Sequence, residues 1–229
     1  EIGKIDIASF YIRIRIQFFH APQDSYTVFL PHQAYFSRFF RIITGRGGKI
    51  MIYEFLADGF EEVEALTPYD MLLRAGADIK TVSLNRGKTV IGAHGVRIEA
   101  DITLDEAAQA PDAVVLPGGM PGAKNLRESE TVCRIVKETA ARGGVIGAIC
   151  AAPFILGELG LLEGKSAICY PGFEKCLHGA KISDKRVVSD GNTVTAAGMG
   201  VALEFGAELI TVIYGSEKAA EVLRSVMAQ

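Results

Sequence analysis

The chain of 229 residues is 49% hydrophobic and 22% charged, with a formal net charge of −3. It therefore holds enough apolar material for a buried core and is not generally disordered, although its length is generous for one domain and short for two. The mildly acidic balance, pI about 5.9, lacks the basic face a dedicated nucleic-acid binder needs, and no run of eighteen apolar residues is present to span a membrane as a helix. The four cysteines, Cys133, Cys150, Cys169 and Cys176, form no C-x-x-C pair; they are too few for a disulfide scaffold and fit a reducing, cytoplasmic setting.

The first fifty residues differ from the rest. They carry seven Lys and Arg against three Asp and Glu, and ten of the nineteen aromatics, whereas residues 51–229 carry a net −7. Ile12-Arg13-Ile14-Arg15-Ile16 alternates with the period of a strand. This arm lacks the continuous apolar core and small-residue cleavage site of a secretory signal, and its strand-like alternation is at odds with an amphipathic transit helix. Residues 1–48 are expected to be an extension outside the main domain, non-native or mis-started in the first reading, a lineage-specific arm or a targeting segment in the others. Met51, after Gly45-Arg46-Gly47-Gly48, would be a natural start for a domain over 49–229.

From there the pattern is regular. Strands are predicted at Lys49–Phe55, Ile79–Leu84, Ala113–Leu116, Val145–Ile149, Ser166–Cys169 and Thr193–Ala196, with a pair of short strands around Gly95 within Val90–Ile98. Helices are predicted over Phe60–Leu73, near Glu128–Ala141, from Ala152 onward, over Ala202–Tyr214 and over Glu217–Met227. Short apolar strands alternating with helices indicate a mostly parallel sheet covered on both faces. Ligands of such sheets bind at the carboxyl ends of the strands.

Three strand ends carry unusual residues. After the first main strand comes Asp58-Gly59-Phe60-Glu61-Glu62-Val63-Glu64. Glu61 and Glu62 read as acidic residues favourable in a first helical turn. Glu64, four residues before Pro68, is placed to point inward, where a raised pKa would keep it protonated. Pro117-Gly118-Gly119 follows the Ala113–Leu116 strand; the glycines serve either a turn of positive φ or backbone donors of an oxyanion hole. Ala148-Ile149-Cys150-Ala151-Ala152-Pro153 has the layout of a nucleophile elbow, a reactive side chain on a strand-to-helix turn between small neighbours. The following helix dipole is expected to depress the thiol pKa. A small buried core cysteine is the competing reading of Cys150.

Taken together, Ala57–Glu64, Val115–Gly119 with Gly122–Leu126, and Gly147–Pro153 resemble the DJ-1/PfpI superfamily, and within it the DJ-1 branch, over about Lys49 to the C-terminus. The resemblance implies a flavodoxin-like three-layer α/β/α sandwich and a homodimer. It also implies Cys150 as the reactive cysteine, Glu64 as its carboxyl partner, and Gly118, Gly119 and Ala151 as backbone donors. The chain departs from the family at four positions. Ala151 stands where the protease-like branch has histidine, so peptidase activity is not expected. Tyr170 stands where several relatives have histidine. His94 and Ala197 replace family arginines, which makes His94 and Tyr170 candidate pocket residues.

Other motifs fail. Gly160–Ser166 lacks the first glycine of a phosphate loop, because Leu159 occupies that position. Gly198-Met199-Gly200 has Leu203 where a dinucleotide fingerprint needs glycine. Cys169, Cys176 and His178 match no zinc spacing. No metal or cofactor is expected. Two functions fit the Cys150–Glu64 pair. One is a glutathione-independent glyoxalase or deglycase, acting on methylglyoxal-like dicarbonyls or on glycated amines. The other is a non-enzymatic oxidative-stress sensor or redox-regulated chaperone that works by oxidation of Cys150.

Overall fold

The computed structural model describes residues 12–17, 25–30, 50–107 and 111–228. It divides into two units, Glu1–Gly48 and Lys49–Gln229. In the first, β1 (Ile12–Gln17) pairs antiparallel with β2 (Ser25–Leu30), in keeping with the alternation of its isoleucines and arginines. The remaining arm residues lie outside the described residues.

The second unit is a three-layer α/β/α sandwich of flavodoxin-like type. Its strands and helices in chain order begin with β3 (Met51–Leu56), α1 (Glu62–Arg74), β4 (Asp78–Ser83), β5 (Thr89–Ile91), β6 (Arg97–Glu99), β7 (Ile102–Thr103) and β8 (Ala113–Leu116). They continue with α2 (Gly122–Glu128), α3 (Glu130–Ala141), β9 (Val145–Ile149), α4 (Pro153–Glu158), β10 (Ser166–Ala167) and β11 (Lys181–Ile182). The last are β12 (Val187–Asp190), β13 (Thr193–Ala196), α5 (Ala202–Tyr214) and α6 (Ser216–Ser225). The seven-stranded sheet runs β12-β13-β9-β8-β3-β4-β7, parallel throughout except for the antiparallel edge strand β12.

Successive residues of the strands feed opposite faces. Val114, Leu116, Ile146 and Ala148 pack with α2, α3 and α4 through Leu126, Ile135, Val136 and Ile155. Ile52, Val115, Ile149 and Val194 pack with α1, α5 and α6 through Met71, Leu72, Phe205, Leu209 and Val222. After β3 the chain moves to β4 on one side and later returns through β8 on the other. The carboxyl ends of β3 and β8 therefore flank a topological switch point, where chains leaving in opposite directions open a crevice.

Two predicted elements need adjustment. The helix expected near Glu128–Ala141 is α3, and a separate, unpredicted helix α2 precedes it; between them Ser129 caps α3, its hydroxyl accepting the Val132 N–H at 3.3 Å. Serine competes well for such a cap and poorly for a helix interior. The strand expected over Ser166–Cys169 is only two residues long and pairs with β11 outside the main sheet. The edge strands β7 and β12 were not predicted, because short edge segments carry little apolar periodicity.

Glu54 sits at the centre of β3, fully buried, with no hydrogen-bond partner on either carboxyl oxygen. It shares the Ile52 face by pleat alternation. Burial raises its pKa well above 4.5, so the folded state holds this proton more tightly than the unfolded chain. Stability contributed here is complete below the unfolded value and falls as pH rises through it. Glu54→Ile is expected to stabilise the protein by about 1–3 kcal/mol at neutral pH and to flatten the loss of stability between pH 5 and 8. Urea unfolding at both pH values checks this; a variant destabilised equally at both would overturn it.

Candidate active site

The site forms where the loops after β3, β8 and β9 meet. Glu61 ends the first loop and caps α1, its Oε2 accepting the Glu64 N–H at 2.7 Å. That cap sets the start of α1 and turns Glu64 inward, leaving it only 1% exposed. Glu64 Oε2 accepts the Gly118 N–H at 3.0 Å. Its Oε1 is buried without a conventional hydrogen bond, while the Cys150 thiol and the Met199 N–H both act on the carboxyl.

Cys150 is half-buried and has φ of 64°, a left-handed conformation rare outside glycine. Its N–H donates to Ala196 O at 2.9 Å and its carbonyl accepts from Tyr170 N–H at 2.7 Å. These bonds to β13 and to the Tyr170 segment hold the strained turn, which projects the side chain away from the strand. The N–H groups of Gly119 and Ala151 both reach the sulfur. Gly118 sits between the two functional side chains. A Cβ there would stand 2.6 Å from Glu64 Oε2 and 2.7 Å from the Cys150 Cβ, so any side chain would part the pair.

The electrostatics follow from this packing. Burial is the largest influence on Glu64 and lifts its pKa to about 7, with the Glu61 charge adding to the rise. The Cys150 thiol and the Gly118 and Met199 N–H groups offset part of it. For Cys150, burial and the Glu64 carboxylate push the thiol up to about 12, against the pull of the Ala151 and Gly119 N–H groups. The expected depression of this pKa by a helix dipole is thus reversed. The α4 helix begins only at Pro153, and the Ala152 and Phe154 N–H groups are spent on Ile149 and Ala151 carbonyls. Near neutral pH the proton rests on sulfur and the carboxyl is the group that titrates.

The other predicted residues fall in distinct places. Gly119, with φ of 82°, offers its N–H at the sulfur. Gly118 does not, because its N–H is committed to Glu64; it positions the carboxyl and is not an oxyanion donor. Tyr170 is near the pair. Its ring lies 3.4 Å from the place a Cβ on Gly198 would occupy, and Glu64 Oε1 lies 3.9 Å from the same point. His94 is exposed and tied to Glu62, with Nδ1 at 2.7 Å from Oε2 and its N–H donating to Oε1 at 2.8 Å. Glu62 is accordingly more than a dipole residue: it is buried and clamps the β5–β6 turn onto α1. No local pattern could have paired it with a histidine 32 positions away.

Among the described residues, Glu61, Glu62 and His94 bring ligand atoms within 4.8 Å of one another. Glu61 Oε2 caps α1, and both Glu62 oxygens are held by the His94 N–H and Nδ1. A cavity of about 430 Å³ lies elsewhere, lined by Arg127, Cys133, Arg134 and Glu158 among others, and none of the predicted site residues borders it. Met199 was missed as a site residue, because its contribution is a backbone N–H with no sequence signature.

Residues 49–212 match the model of the DJ-1/PfpI family. The chain is 38% identical over 175 residues to protein dj-1beta of Drosophila melanogaster, covering 75% of this chain and 94% of that protein. It is 34% identical over 143 residues to deglycase PH1704 of Pyrococcus horikoshii, covering 61% of this chain and 85% of that protein. Among solved structures, oxidized Toxoplasma gondii DJ-1 superposes with a TM-score of 0.75 at 33% identity, covering 78% of this chain and 98% of that one. The chain belongs to the DJ-1/PfpI family. No helix among the described residues is long and apolar enough to cross a membrane.

Removing the Glu64 charge should relieve the second-largest influence on the thiol. Glu64→Gln is expected to lower the pH of half-maximal Cys150 alkylation by about one to three units, followed with iodoacetamide and mass spectrometry. An unchanged profile would show that the two groups do not sense each other.

Proposed function

We propose that this DJ-1/PfpI chain acts on methylglyoxal-like dicarbonyls, or on their early adducts with amines, without glutathione or another cofactor. The observation that carries the reading is the Cys150 thiol held against a buried carboxyl whose pKa, about 7, suits a general base at neutral pH. The deglycase among its relatives supports the class of reaction.

In the proposed cycle the Glu64 carboxylate takes the Cys150 proton as Sγ adds to the aldehyde carbon C1, forming a C–S bond. The Gly119 and Ala151 N–H groups hold the developing alkoxide, which receives that proton to give a hemithioacetal. Glu64 next removes the proton on C1 and returns it at C2, while the C1 hydroxyl proton passes to the C2 oxygen. C1 is thereby oxidised to a thioester and C2 reduced to an alcohol, so no outside redox partner is needed. Water cleaves the thioester, regenerating the thiol and releasing lactate from methylglyoxal. An adduct on an amine would first lose the amine by C–N cleavage and then follow the same course.

The alternative, a sensor or chaperone working through sulfinic acid at Cys150, draws on the same pair. It is less well served by the electrostatics: thiolate is the form that attacks peroxide, and here burial and Glu64 push the thiol pKa up. With Glu64 as base, turnover should rise with pH through a midpoint near 7. Lactate formation from methylglyoxal is expected to follow that profile, and to fall to background in Cys150→Ser. Equal rates in the two proteins would sink the enzyme reading. Selective oxidation of Cys150 by mild peroxide, ahead of Cys133, Cys169 and Cys176, would then favour the sensor.

The proposal extends to the chain's organisation. Val63, Leu66 and Leu73 leave an exposed apolar stripe on α1 beside the site, suited to a second copy of the chain, and residues 1–48 are read as dispensable. A chain starting at Met51 is expected to sediment as a dimer and keep the activity of the full chain. A monomer would overturn the dimer, and loss of folding or activity would show that the arm belongs to the domain.

A further inference from the structure

Three large side chains, each about half exposed, stand on the segments that carry the Cys150–Glu64 pair: Met120, Tyr170 and Met199. All three are anchored to the pair. Met120 follows Gly119, whose N–H reaches the sulfur. The Met199 N–H acts on the Glu64 carboxyl. Tyr170 donates its N–H to the Cys150 carbonyl, and its ring flanks Gly198 beside Glu64 Oε1. Two thioethers and a phenol ring make a polarisable surface that gains most from apolar and aromatic partners.

We propose that Met120, Tyr170 and Met199 form a rim that selects the substituent of the dicarbonyl, favouring an aryl or branched alkyl group over hydrogen. The inference rests on the reading of Cys150 as a carbonyl nucleophile. In the balanced reaction, phenylglyoxal and one water give mandelate, with Sγ adding at the aldehyde carbon and the aryl group lying on the rim.

The test compares kcat/KM for phenylglyoxal and glyoxal, each divided by the rate of its addition to a free thiol. Phenylglyoxal is expected to exceed glyoxal roughly tenfold, the discrimination a modest apolar contact supplies. The Met120→Ala/Tyr170→Ala double variant, its fold checked by circular dichroism, should lose most of that ratio. A corrected ratio near one, or a ratio unchanged in the folded variant, would overturn the rim. A second measurement needs neither turnover nor a variant: alkylation of Cys150 by N-phenylmaleimide against N-ethylmaleimide, again relative to a free thiol. A phenyl preference supports the rim and its absence overturns it. If neither dicarbonyl yields a hydroxy acid while the maleimide preference persists, the carbonyl activity fails and the rim stands as a binding surface.

Discussion

Glu64 lies in the interior with one oxygen on the Gly118 N–H and the Cys150 thiol beside it, where a charge is far less well solvated than in water. Everything else about the site follows from where that charge is allowed to form. Were the carboxyl fully hydrogen-bonded it would ionise as an ordinary acid and hold no proton near neutrality. Were it without donors it would stay protonated and could accept nothing. One firm N–H bond and partial contacts leave it balanced at about 7, which is where a base can take a thiol proton and give it back.

The fold supplies this balance by bringing three loops together at the switch point. The β3–α1 loop fixes the carboxyl through the Glu61 cap. The β8 loop supplies Gly118 and Gly119, the first donating to the carboxyl and the second acting on the sulfur. The β9 turn supplies Cys150 in a left-handed conformation held by Ala196 and Tyr170. None of these loops is free to drift, since each is tied to another. The Glu61 N–H bonds the Gly118 carbonyl at 3.0 Å, and the Glu62–His94 clasp holds the β5–β6 turn against the same segment.

Much of this was legible in the sequence. Apolar runs such as Ala113–Leu116, Val145–Ile149 and Thr193–Ala196 coincide with the observed strands, because a strand buried on both faces has no choice but to be continuously hydrophobic. The inward position of Glu64 followed from its spacing within α1. What escaped was whatever depends on contacts distant in sequence. The short helix α2 went unpredicted, and the role of Ser129 as the cap that separates it from α3 shows only in the structure. Gly118 and Gly119 looked equivalent, yet their N–H groups serve different partners. The Cys150 shift was expected downward from the helix dipole with Glu64 as a protonated partner, whereas burial and the Glu64 charge push the thiol up.

The contrast between the two buried glutamates shows how narrow the requirement is. Glu54 and Glu64 belong to one strand–loop–helix unit, both are withdrawn from solvent, and burial is the largest influence on each. Glu54 has no donor on either oxygen, so its proton is locked in place and the residue weighs only on stability. Glu64 differs by a glycine N–H on one side and a thiol on the other. Burial alone therefore makes a carboxyl inert. It becomes chemically useful when the backbone returns part of the lost solvation and a second titratable group stands close enough to exchange the proton.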